Sequence, residues 1–117
     1  MKQLVVLVLS LFLISCSTIK KYWPRDHDPV MFNQLVTIDK LVEDIDCEGP
    51  DWGVIVVTSQ QLARYTEWRQ DPQAENIKGL HAHAIRMSKG GSKTFCELGK
   101  KTAAQRIQVA KSAWEGR

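Results

Sequence analysis

The apolar run Leu4–Ile14 is the feature that most limits what this chain can become. It follows the positive Lys2, is broken only by Ser10, and ends beside Ser15 and Cys16. As a helix it would be about 16 Å long, roughly half the hydrocarbon thickness of a bilayer. That is too short for a membrane span and right for an export signal, which assigns residues 1–15 to a signal peptide. The fold must therefore come from the residues that follow, in an exported compartment.

Residues 16–117 amount to about 100 residues, enough for one domain with a modest core. Removing Lys2 from the 16 basic residues leaves 15 against 13 acidic ones, a mildly cationic balance. No dense basic stripe with interleaved aromatics is present, so nucleic acid is not the expected partner. A phosphate-rich membrane surface or an acidic partner is the more natural counterpart. Besides Cys16 there are only Cys47 and Cys96, an even pair suited to an oxidising space. Joined within one chain they would close a loop of about 50 residues and contribute about 4 kcal/mol. Joined between chains they would give a covalent homodimer, and the spacing leaves both arrangements open.

Along the chain, residues 16–30 read as a tether, with Pro24, Pro29, mixed charges and no sustained periodicity. Its Lys20, Lys21, Tyr22 and Trp23 are residue types that favour anionic head groups and the membrane interface. Asp26, His27 and Asp28 are adjacent in that tether and do not make a metal site. Residues 31–117 form the expected domain. Ile38, Leu41, Val42 and Ile45 recur at helical spacing from an N-cap at Thr37, and the turn formers Glu48 to Asp51 end that helix. Trp52 to Thr58 is a β-branched run that reads as a buried strand, with Phe32 to Val36 as its partner. Ser59 then caps a helix carrying Leu62, Tyr65 and Trp68. Asp71 and Pro72 start a third helix with Ile77, Leu80, Ala84 and Met87 on one stripe, closed by Gly90 and Gly91. The last segment, from Ser92 to Trp114, aligns Cys96, Ala103, Ile107, Ala110 and Trp114, with Gly99 as a point where it would break. The expected fold class is α+β: a mostly helical small domain of about four helices with one or two short strands.

Nothing in the sequence points to catalysis. His81 and His83 are two apart, so on a helix they point about 200° from each other and cannot share a metal. Zinc-type spacings, glycine-rich phosphate loops and nucleophile elbows are missing, and nothing in their spacing singles out Glu67 and Glu75 as a carboxylate pair. The expectation is a binding protein that uses no cofactor and no metal. Its aromatic residues are the candidates. Trp52 and Trp68 read as core anchors and Trp23 as an interfacial residue. Trp114 ends a basic segment containing Lys100, Lys101, Arg106 and Lys111. With Ile107 it is the expected partner-binding stripe, its other role being to lock the last helix down.

The stretch Leu13-Ile14-Ser15-Cys16 resembles the lipobox of bacterial lipoproteins. That resemblance implies a diacylglyceryl group on the Cys16 sulfur, cleavage before Cys16, and acylation of the new amino terminus. One acyl chain binds a membrane reversibly, whereas two or more make a stable anchor. Ser17 stands where an Asp would retain such a protein in the inner membrane, so the resemblance implies the inner leaflet of the outer membrane, facing the periplasm. A lipoprotein signal, a tether and a periplasmic domain of about this size together look like the outer-membrane subunit of a two-component phage spanin. The implied partner is an inner-membrane subunit, and the implied outcome is membrane fusion that completes host lysis. This chain departs from the proline-rich members in having only 4 prolines. An exclusion or immunity lipoprotein, phage- or plasmid-borne, that blocks a receptor or an injection apparatus shares the anchor and stays open beside it.

Overall fold

The computed structural model describes residues 27–116. Cys16, the signal peptide and nearly all of the tether lie outside the described residues. Within them the chain forms four helices: α1 (Pro29–Glu43), α2 (Gly53–Trp68), α3 (Ala74–Ser88) and α4 (Lys93–Glu115). No strand occurs among the described residues, which corrects the α+β expectation to all-α. Trp52 to Thr58 lies at the start of α2, and Phe32 to Val36 lies inside α1.

Each helix begins where a side chain can satisfy free amides. Asp28 caps α1 by accepting from Val30 N (2.9 Å) and Met31 N (3.3 Å), and Pro29 fills the first helical position. The helix therefore starts well before Thr37, whose hydroxyl instead donates to Asn33 O. Asp51 Oδ1 accepts from Gly53 N (3.0 Å) ahead of α2, and Asp71 Oδ1 accepts from Gln73 N (2.9 Å) ahead of α3. Ser92 Oγ accepts from Phe95 N (3.1 Å) at the start of α4. Ser59 caps nothing. It is buried in mid-helix, where its hydroxyl donates back to Ile55 O (2.5 Å).

The buried stripes close into one core. Met31, Leu35, Ile38 and Val42 come from α1, while α2 adds Ile55, Leu62 and Ala63, with Trp52 just ahead of it. Ile77, Leu80, Ala84 and Met87 come from α3, and Cys96, Ala103, Ile107, Ala110 and Trp114 from α4. α1 packs on α2 and α4, and α3 packs on α2 and α4, so the helices form a ring of neighbours. Asp28 meets Tyr65 at one end, and Cys47 meets Cys96 at the other. Successive helices are thus antiparallel, as in an up-and-down four-helix bundle. α4 runs unbroken through Gly99 for about 34 Å. The glycine is a point of close approach, because a Cβ there would overlap the Met87 side chain of α3.

Candidate docking surface

The two ends of the bundle are fastened differently. Beyond the end of α1, Cys47 is disulfide-bonded to Cys96 in the first turn of α4, with Cα atoms 5.7 Å apart. The pairing is within one chain. Beside it, Lys100 Nζ reaches across from α4 to donate to Ile45 O (2.8 Å) and Glu43 O (3.2 Å), carbonyls at the negative end of α1. Trp52 seals the same end, edge-on to the His83 ring at 6.2 Å.

At the opposite end Asp28 does more than cap α1. Its Oδ2 accepts a hydrogen bond from Tyr65 Oη (2.8 Å) and is paired with the Arg69 guanidinium, both from the last turns of α2. Burial alone favours a neutral carboxyl. The hydrogen bonds from Tyr65, Met31 and Val30, together with the Arg69 charge, outweigh that and hold Asp28 below its ordinary pKa. Next to this knot Trp114 Nε1 donates to Asp71 Oδ1 (3.1 Å), tying the end of α4 to the start of α3.

The sequence-derived partner stripe lies in this interior. Ile107 and Trp114 are each only 2% exposed, so neither side chain is available at the surface, and Trp114 is a lock between helices. Trp68 is the reverse case. Expected in the core, it is 80% exposed. His83 Nε2 donates to Gly99 O (2.8 Å), and His81 Nδ1 lies 3.1 Å from Val56 O, so both histidines join helices. Glu67 and Glu75 both face Lys78, at 3.2 and 3.5 Å.

A different surface stands out, and it was missed from sequence. Residues 29–38 of α1 and 53–63 of α2 contain no charged side chain, in a chain that is 25% charged. On the outside of these two helices Val36, Val54 and Val57 are about half exposed. Between the helices Asn33, Gln34, Thr37, Thr58 and Gln61 line a groove of about 180 Å³. Gln34 Oε1 is buried there without a hydrogen-bond partner. The signal that could have found this surface is the missing charge, which the β-branched run disguised as a buried strand. Such a face can receive an apolar or amide-bearing helix without desolvating a charge. Compared with protein families, with curated proteins and with solved structures, the chain matches none.

Proposed function

We propose that this chain is the outer-membrane subunit of a two-component spanin. In this reading it is held to the inner leaflet of the host outer membrane through Cys16, and it receives a helix of an inner-membrane partner on the α1–α2 face. The observation that carries the docking half is the uncharged groove between two antiparallel helices. Val54, Val57, Thr58 and Gln61 recur at i, i+3, i+4 and i+7 on α2, and Asn33, Val36 and Thr37 answer them on α1. This is the pattern of a helix-in-groove site, with valines for contact area and amides for register. The bundle is about as long as α4, so the partner would supply the rest of the reach across the periplasm.

Val57→Glu tests the reading, because it places a charge at the centre of the face on an already exposed side chain. Buried interface anchors are commonly worth 2 kcal/mol or more, so affinity for the partner should fall about thirtyfold. The final lysis step should stall while lipidation, abundance and melting temperature stay at wild-type values. Normal lysis by the variant would remove the α1–α2 face from the mechanism. If the chain alone protects cells against infection, and Val57→Glu abolishes that protection without touching lysis, the exclusion reading replaces the spanin one.

A further inference from the structure

Among the described residues Trp68 is the most exposed of the large hydrophobic side chains, at 80%, while Trp52 and Trp114 are 2% exposed. It is also well supported. The last turns of α2 are pinned by the Tyr65 and Arg69 bonds to Asp28, and the Tyr65 and Trp68 rings lie 6.2 Å apart. α2 stops immediately afterwards, with Gln70 in the left-handed region (φ 55°) and Asp71 N donating to Thr66 O (2.9 Å). Trp68 therefore projects from a fixed corner and not from a fraying end. Val30, half exposed, follows Asp28 at the same corner, and the exposed Arg64 lies one turn before Trp68 on α2. Glu67, the nearby acid, faces Lys78 at 3.2 Å.

The corner is where the chain enters the bundle, since Asp28 binds it directly. We infer that Trp68, with Val30 and Arg64, seats this end of the bundle on a phospholipid surface. The inference rests on the reading of Cys16 as a lipid anchor. Asp28 is twelve positions after Cys16, so this end stays within about 40 Å of the membrane even with the chain fully extended. The disulfide end is a further α4 length away. Tryptophan with a flanking arginine suits the headgroup region, where the indole buries its ring and the cation meets phosphate. The intervening sequence carries the same chemistry in Lys20, Lys21, Tyr22 and Trp23. A lipid surface is the favoured occupant because an anchor at Cys16 would keep one within reach of this corner before any protein partner arrives.

The test uses the full-length lipidated protein in vesicles of phosphatidylethanolamine and phosphatidylglycerol. Trp23→Phe is included to silence the tether indole. Replacing part of the lipid with a brominated phospholipid should lower the Trp68 emission about twofold. The additional change Trp68→Phe should abolish that quenching, because Trp52 and Trp114 are shielded in the core. Equal quenching with and without Trp68 would overturn the seating, as would quenching that appears only when the inner-membrane partner is added. Vesicle flotation separates the two claims. Protein that floats but shows no Trp68 quenching is anchored and not seated, whereas protein that fails to float sinks the Cys16 reading itself.

Discussion

Cys47 and Cys96 tie α1 to α4 covalently at one end of the bundle, while at the other Asp28 gathers Tyr65 and Arg69, and Asp71 holds Trp114. The covalent tie acts mainly on the unfolded chain, by removing conformations that a long loop would otherwise explore. It answers to redox conditions and hardly to pH. The polar knot acts in the folded state, through hydrogen bonds and charge, and it answers to pH and hardly to redox. A domain this small has only a modest core, so both fastenings matter, and they fail under different conditions.

The largest effect should come from the covalent end. Replacing Cys47 and Cys96 with alanine, or reducing them, should cost about 4 kcal/mol, a large share of the stability of a domain of this size. Thermal unfolding with and without reductant measures it, and an unchanged midpoint would show that the tie is idle. Truncating Trp114 to alanine should cost about 3 kcal/mol through the cavity it leaves. Trp114→Phe keeps most of the bulk and should cost about 1 kcal/mol for the lost bond to Asp71. Similar losses for the two Trp114 variants in denaturant titrations would mean that the hydrogen bond, and not the packing, carries the lock.

Asp28→Ala should cost about 2 kcal/mol, since it removes the α1 cap and the carboxylate that Tyr65 and Arg69 both bind. Asp28→Asn should cost about half as much, because an amide still caps the helix. The pH dependence follows from the depressed pKa of Asp28. Its contribution is present above the ordinary aspartate value, near pH 4, and is lost as pH falls through the lower folded-state value. The melting temperature of the wild type should therefore decline on the acid side more steeply than that of Asp28→Asn. Parallel acid limbs would remove the charge from the account. Val57→Glu, away from both ends, should change stability by no more than about 0.5 kcal/mol.

The halves of the bundle also differ in how openly their sequences announce them. The stripes of α3 and α4 are legible because polar and charged residues separate Ile77, Leu80, Ala84 and Met87, and likewise Ala103, Ile107, Ala110 and Trp114. Around α2 the buried positions Trp52, just ahead of it, and Ile55, Ser59, Leu62 and Thr66 within it have the same helical spacing. Val54, Val56 and Val57 fill the gaps between them, and Ser59 and Thr66 put hydroxyls where apolar residues are expected. Those hydroxyls are tolerated because they donate to Ile55 O and Ala63 O within the helix. Packing against α1 and α3 then overrides the β preference of the valines. The start of α1 was hidden for another reason. Asp28 and Pro29 form a capping signal, but they sit in a stretch with the composition of a tether. Trp68 was misplaced because its spacing from Tyr65 resembles a continuing inner stripe, whereas that stripe turns through Ala63 and Thr66. Of the docking face, the sequence offers only the lack of charge, since the pairing of α1 with α2 is a tertiary fact.

The disulfide has a mechanical consequence. A pull between the tether and the far end of α4 travels along α1 to Cys47, crosses to Cys96, and leaves through α4. Residues 48–95, which include all of α2 and α3, lie off that path and carry no tension while the bond is intact. Stretching can peel α1 away from Asp28 to Cys47, a segment about 65 Å long when fully extended, before the covalent crossing takes the load. The protein is in effect a rope with a short extensible lead and a shielded knot. A pull applied at the α1–α2 face would instead enter at α2 itself and bypass the protection that the disulfide gives to residues 48–95.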